Sequence, residues 1–463
     1  MNQPPWHSQP IASLPWAIRM FPMRVFQLYL GCTVVLFALG PWPWPVKNPI
    51  SLLAYLAANQ IALWWGYRSV IRRQPQEYNG LVRVDRLVLM GLLTWIIFFV
   101  QLHKTRSGFE SVEVGDFIRA TVNGVEDSGS AYREGQKVFF ENAASNSRLS
   151  TVVSFGTWLA SPLLWAVLPV GVYCWRQLRA TLRIGVIAYI ILETASWIAS
   201  GRNKGLVDIF IIIPSMILAN HPNWLLARNR IKFTGLVAGT TVAAVIVFLS
   251  FTAGQVGRRG GAIPTHDSAT NISLDLENWT TSLLPLDGAV AIGAASSYVT
   301  QGYYGLSLAM EEPFLWCYGF GNSYYLHSVS NGIFNDDYIS ERTYSARISS
   351  EWDMFGRWSS IYAWFANDVS FWGVPIVMFL VGRLFGLTWL DVLAQRNPFA
   401  AALFALLLIM LCYIPANNQV LHFSATFFPF GTFLALWIYS RRVSSTFNNH
   451  ASPSHAEWRQ PVD

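Results

Sequence analysis

Apolar residues in this chain fall into long blocks separated by short polar seams. Runs at about 25–40, 50–69, 87–103, 152–174, 184–200, 205–220, 234–254, 370–390, 398–414 and 422–440 are almost continuously apolar. Roughly 20 such residues are needed to cross the hydrocarbon layer of a bilayer. No window shows the strict period-two alternation of a barrel strand, so each block is read as a helix. The pattern predicts an all-α polytopic membrane protein with about ten transmembrane helices. Two longer polar stretches interrupt it. One is at about 104–150, read as a solvated loop with short helices or as a cap over a site. The other is a large segment, 255–369, between the seventh and eighth runs, expected to be partly membrane-associated, with helices that fold back over the membrane.

Composition agrees with the pattern. Hydrophobic residues make up 53% of the 463 positions and charged residues only 13%, where a soluble domain carries about 25%. The sign of the charge adds a direction. Arg19, Arg24, Arg68, Arg72, Arg73, Arg83, Arg86, Arg176, Arg179, Arg183, Arg228, Arg230, Lys232, Arg396, Arg441 and Arg442 fall on one side of the predicted spans. The short loops of the other side hold only Lys47, Arg202 and Lys204. The positive-inside rule then places an N-terminal arm (1–24) and a tail (441–463) in the cytoplasm and the segments 104–150 and 255–369 outside. The first run has a long preceding region and Pro41 after "FALG", which suits a retained span better than a cleaved signal. The four cysteines, Cys32, Cys174, Cys317 and Cys412, make no disulfide framework; a Cys317–Cys412 pair is the one combination worth testing.

Several kinds of chemistry are excluded by missing motifs. There is no G-x-x-x-x-G-K-[ST] phosphate loop, no H-E-x-x-H, no paired C-x-x-C and no G-x-S-x-G elbow, which argues against ATP-driven transport, zinc hydrolysis and the common serine hydrolases. Metal-dependent membrane glycosyltransferases commonly place a carboxylate in the first outer loop, and "PWPWPVKN" has none. Asp336 and Asp337 in "NDDY" read as a solvated turn. No cofactor, bound metal or nucleic-acid partner is expected.

The charges that remain are in costly places. Glu193 is mid-span, where an ionisable group either serves a function or bonds to a neighbouring helix. In "SGRNKGLVDIF", Lys204 and Asp208 are spaced to pair along one helix face. Arg202 and Lys204 sit beside Gly201 and Gly205 where the short run that follows draws them to headgroup level. Cations and backbone N–H groups there suit a lipid-linked phosphate. In the large segment, "ERTYSARISSEWDMFGRW" has the composition of a helix, on which Arg347–Glu351 and Asp353–Arg357 would be four-residue ion pairs. Arg342, Arg347 and Arg357 are alternatively anion ligands sharing a site with Arg202 and Lys204. Glu351 and Asp353 are candidates for base or acceptor binding, and His327 is the one histidine of the aromatic outer stretch. Tyr303, Tyr304, Trp352 and Trp358 are candidate sugar platforms.

Taken together, "SGRNKGLVDIFI", the large segment before the last spans, and "WFANDVSFWGVPIVMFLVGRLFG" with its aromatic-x-Asp-x-x-x-x-Gly pattern (Asp368, Gly373) are similar to Wzy-type oligosaccharide repeat-unit polymerases. These serve bacterial surface-polysaccharide (O-antigen or exopolysaccharide) assembly, and the resemblance covers roughly residues 150–440. It implies a metal-independent glycosyltransferase of the bacterial inner membrane. The substrates would be undecaprenyl-pyrophosphate-linked glycans, as donor and acceptor, on the periplasmic face. Partners would be the bilayer and chain-length or export proteins. A glycan ligase of the same topology, or a flippase or transporter using Glu193, Asp208 and Arg202, are the alternatives.

Overall fold

The computed structural model describes residues 15–73, 78, 82–107, 113–144, 148–226, 231–240, 242, 265–267, 270–334, 337–353, 356–395 and 397–450. Among these residues the regular structure, apart from one two-stranded hairpin, is helical. The helices are α1 (Trp16–Leu39), α2 (Pro49–Val70), α3 (Val84–Ser107), α4 (Val114–Glu126), α5 (Ser128–Ala144), α6 (Arg148–Tyr173), α7 (Ala180–Ala199) and α8 (Lys204–Asn220). Then come α9 (Leu286–Ala309), α10 (Tyr324–Phe334), α11 (Tyr338–Arg342), α12 (Tyr344–Arg347), α13 (Ser360–Gln395), α14 (Pro398–Cys412) and α15 (Ser424–His450). Residues 231–240 are also helical; the rest of the apolar run 234–254, Asp336 and both chain termini lie outside the described residues.

Among the described residues, four helices are long and apolar enough to cross a membrane, Trp16–Leu39, Phe155–Tyr173, Ala180–Ala199 and Ser360–Ala394; Pro398–Cys412 is apolar but shorter. Their outer surfaces agree. On α13, Trp372, Ile376 and Leu380, spaced one turn apart, are 92%, 65% and 56% exposed. Such a stripe is costly in water and free of cost against lipid chains. The chain is an all-α membrane-embedded protein.

Close backbone approach holds the bundle together. A Cβ at Gly382 would stand 2.0 Å from the Leu63 carbonyl oxygen, and one at Gly66 would stand 1.9 Å from that of Phe379. Gly386 fits against Val70 and Tyr67 in the same seam. This is the small-residue packing that joins helices when lipid removes any hydrophobic drive between them. Buried polar groups are paired across helices. Trp95 Nε1 donates to Glu193 at 2.7 Å, tying α3 to α7. Asp391 accepts from Trp437 Nε1 at 2.8 Å and from Arg441 Nη1 at 2.6 Å, tying α13 to α15.

Both long polar stretches pack against the bundle. Within 255–369, α9 packs into the bundle: Thr33 Oγ1 and the Tyr303 hydroxyl are 2.8 Å apart, and Trp42 Nε1 donates to the Gly293 carbonyl at 2.7 Å, joining α9 to α1 and the loop after it. Small residues allow this, since Gly302 packs directly on the Pro415 carbonyl. Within 104–150, α4 is no free solvated helix. Gly124 lies against the Ile198 carbonyl at the end of α7, while Ser128, at the start of α5, contacts Gly201. The two short helices thus cover the α7–α8 turn.

Replacing Gly382 by Leu should destabilise the fold by several kcal/mol, because a rigid backbone carbonyl must move. Gly431→Leu, where no atom lies within 4 Å, should be silent. Thermal unfolding of both variants in detergent checks this; similar melting temperatures would remove the seam's importance.

Candidate functional site

Most of the predicted residues outside the α7–α8 turn lie around a break in α13. Ser370 has φ 58° and ψ 169°, so a leg at 360–369 is set off from the remainder of the helix. Two polar residues, Asn367 and Asp368, lie near the end of that leg. Asp368 Oδ1 accepts from the backbone N–H groups of Gly319 (2.8 Å) and Gly321 (3.1 Å), and Oδ2 from Asn322 Nδ2 (2.9 Å). Asn367 Nδ2 donates to the Gly321 carbonyl at 2.7 Å and Oδ1 accepts from the Tyr344 N–H at 2.8 Å. Gly319, with φ +86°, supplies the left-handed turn that aims these N–H groups inward. A carboxylate with three donors is well satisfied. The Asp of the aromatic-x-Asp-x-x-x-x-Gly pattern is therefore an anchor for the 316–322 loop.

That loop positions other groups. Arg342 Nε donates to the Trp316 carbonyl at 2.8 Å and its guanidinium lies 5.6 Å from the Tyr318 ring and 4.9 Å from the Tyr338 ring. Arg347 pairs with Glu312 through Nη1 at 3.1 Å, 4.8 Å from the Tyr344 ring, while its Nε and Nη2 are buried without a hydrogen-bond partner. Arg357 forms a two-pronged pair with Asp267 of the strand hairpin (His266–Asp267 with Ile272–Ser273), above the Trp352 ring. Neither predicted four-residue ion pair forms. The segment is not one helix: Thr343, extended at φ −67° and ψ 146°, separates α11 from α12, and α12 ends at Arg347.

The remaining candidates divide by burial. Tyr303 and Trp352 are 1% exposed, and Tyr304 is buried in a stack on Trp44 with ring centroids 5.4 Å apart. Trp352 also gives its Nε1–H to the Trp358 carbonyl at 2.8 Å. These three rings are core; they hold the segment down and present no face to a sugar. Trp358 is half-buried, 4.1 Å from the Tyr298 ring. Glu351 and Asp353 are exposed. In the α7–α8 turn, Gly201 adopts φ +61°, Arg202 is half-buried, and Lys204 pairs with Asp208 at 2.8 Å as spaced.

One group escaped sequence reasoning. His422, assigned to the start of the last span, instead ends the polar loop 413–423 between α14 and α15. It stacks on Tyr324 at 5.3 Å and meets Trp364 edge-on at 4.9 Å, while His327 stacks on the same Trp364 at 5.7 Å. The loop is tied to the rest of the site by Asn418 Nδ2, which donates to the Asn322 carbonyl at 2.8 Å. His327 Nε2, His422 Nδ1, Trp364 Nε1 and Gln419 Oε1 are buried with no hydrogen-bond partner in the protein. Burial pushes the His422 imidazole down to about 3, assisted by the positive charges of His327 and Lys204. Burial also lowers His327, opposed by a hydrogen bond with Gly321 and by Asp368. The signal in the sequence was "PANNQVLH", too polar to begin a span. Among the described residues no three or more His, Cys, Asp or Glu side chains are grouped to hold a metal ion, and all four cysteines are free. Comparison of the chain with protein families, curated proteins and solved structures finds no match.

A buried cluster of two imidazoles, an indole N–H and an amide oxygen without protein partners, within electrostatic reach of Lys204, suits an anionic, hydroxyl-bearing ligand. Its titration has a stability signature. The unfolded imidazole of His422 binds its proton near 6.5 and the folded one near 3. Between those values the unfolded state holds more protons, so stability rises with pH, by up to about 1.4 kcal/mol per unit. The contribution is complete above 6.5 and is lost as pH falls towards 3. The melting temperature should drop between pH 6.5 and about 4, and His422→Phe should flatten that slope; parallel slopes would contradict the burial.

Proposed function

We propose that the chain is a membrane glycosyltransferase that joins polyprenyl-pyrophosphate-linked oligosaccharide units, polymerising repeat units into a surface polysaccharide. The observation that carries the reading is Arg347, whose guanidinium keeps two buried, unpaired donors on the short helix whose Tyr344 N–H bonds to Asn367, next to the Asp368 that couples to His327. About ten spans, both termini in the cytoplasm of a bacterial inner membrane and this site at the periplasmic face complete the proposal, supported by the distribution of basic residues.

The chemistry follows from the groups present. The acceptor hydroxyl oxygen bonds to the anomeric carbon as the bond from that carbon to the pyrophosphate oxygen breaks. The electron pair leaves with the pyrophosphate, and Arg347, with Arg202 and Lys204, stabilises the charge that develops. The hydroxyl proton passes to His422 or His327. An imidazole neutral when the site is empty is available as an acceptor, and a bound pyrophosphate raises its basicity by favouring the charged form. This assigns to the histidines the role that the sequence offered to Glu351 and Asp353, which are exposed. Arg342, held by Trp316 and Tyr338, and Arg357, committed to Asp267, shape the site.

Arg347→Ala should lower chain extension on the order of 100-fold, the loss typical of one removed donor to a developing oxyanion, with the protein still inserted. Gel analysis of surface glycan should then show single repeat units. Long chains retained on the lipid carrier would identify a ligase instead, and normal polymer from both Arg347→Ala and His422→Ala would defeat the proposal.

A further inference from the structure

The opposite end of the α7–α8 pair, where α7 begins and α8 ends, holds a cleft of about 340 Å³ that none of this chemistry uses. Its volume is in the range of small-molecule sites, about 300–1,000 Å³. Its lining divides sharply. Arg176, Gln177 and His221 form the rim, and Ile187, Ile190 and Ile217 form the floor. The rim is held in place: Arg183 donates to the carbonyls of Trp175 (3.0 Å) and Arg176 (3.2 Å), and His221 stacks on Trp224 at 4.6 Å and 8°. No acidic side chain is among the lining residues.

The local field at the rim is positive. His221 has its proton affinity lowered first by burial and then by the charges of Arg176 and Lys232. An inorganic anion would need the rim but not the floor. An apolar ligand would need the floor but not the rim. Ile187 is 46% exposed although it lies nearly two turns into a membrane-crossing helix, so the floor opens sideways to lipid. A cation at interfacial depth above an apolar slot open to the acyl chains matches one class of molecule, an anionic amphiphile of the bilayer itself.

We propose that this cleft binds an anionic phospholipid, with its phosphate against Arg176, Gln177 and His221 and one acyl chain along Ile187, Ile190 and Ile217. The site is separate from the glycosyl-transfer chemistry and does not depend on it. It fixes the start of α7 and the end of α8 with a ligand from the membrane.

Native mass spectrometry of the full chain, purified in detergent and titrated with phosphatidylglycerol, phosphatidylcholine or inorganic phosphate, tests this. Wild type should retain one phosphatidylglycerol in preference to phosphatidylcholine. Arg176→Gln, a change at an exposed side chain, should weaken retention about fivefold, the contribution of one cation beside a charged lipid surface. Ile190→Trp, which fills the floor, should abolish it. Arg119→Gln, at the other end of the molecule, should behave as wild type, and inorganic phosphate at equal concentration should not displace the lipid. Equal retention of the two lipids, or variants indistinguishable from wild type, would overturn the proposal. Displacement by phosphate would show a site for free anions and overturn it equally.

Discussion

The three hydrogen bonds that converge on the Asp368 carboxylate are the interaction on which the rest of the candidate site depends. A helix broken near a membrane leaves backbone groups that must find partners, because lipid offers none. Here the break at Ser370 leaves Asn367 and Asp368 at the end of the first leg, and these two side chains take up N–H and C=O groups of the 316–322 loop. Everything downstream uses that loop. Trp316 receives Arg342, Gly321 meets His327, and Asn322 receives Asn418 from the loop that ends in His422. One carboxylate thus sets the relative places of a guanidinium and two imidazoles that come from three different parts of the chain.

Beneath the site, the bundle supplies rigidity through contact instead of hydrophobic drive. Gly66, Gly382 and Gly386 bring α2 and α13 to backbone distance, so the long helix that carries Asp368 is fixed along its membrane-facing length. Cross-helix bonds at Glu193 and Asp391 satisfy the charges placed in apolar surroundings. Both ends of the α7–α8 pair present a cation, Lys204 at one and Arg176 at the other, each within electrostatic reach of a histidine. At the first end the neighbours are buried polar groups without partners; at the second they are isoleucines. That difference in surroundings separates the two ligand classes proposed.

Much of the helical layout was legible in the sequence because apolar runs of membrane length leave few alternatives. The pairing of Lys204 with Asp208 was legible for the same reason, being local to one helix. The failures are non-local. The α9 helix was hidden because its Gly, Ser and Thr residues dilute its apolar character, yet those same small residues let it approach Pro415 and Trp358. The ion pairs of Arg347 and Arg357 form with Glu312 and Asp267, 35 and 90 positions away, where four-residue spacing has no bearing. Trp352 and Tyr303 look like sugar platforms by residue type alone; only tertiary packing shows them enclosed. His422 acquires meaning from His327 and Trp364, partners that no local pattern links to it.

The dependence on Asp368 can be tested by the sign of a single change. Removing a carboxylate close to an anion site should, by charge alone, tighten anion binding. If Asp368 instead holds the loop that sets the cations and imidazoles in place, its loss must weaken binding. Isothermal titration of pyrophosphate into detergent-solubilised wild type and Asp368→Ala protein decides between them. The account predicts weaker binding by the alanine variant, with the helical content unchanged. Equal or tighter binding would contradict it.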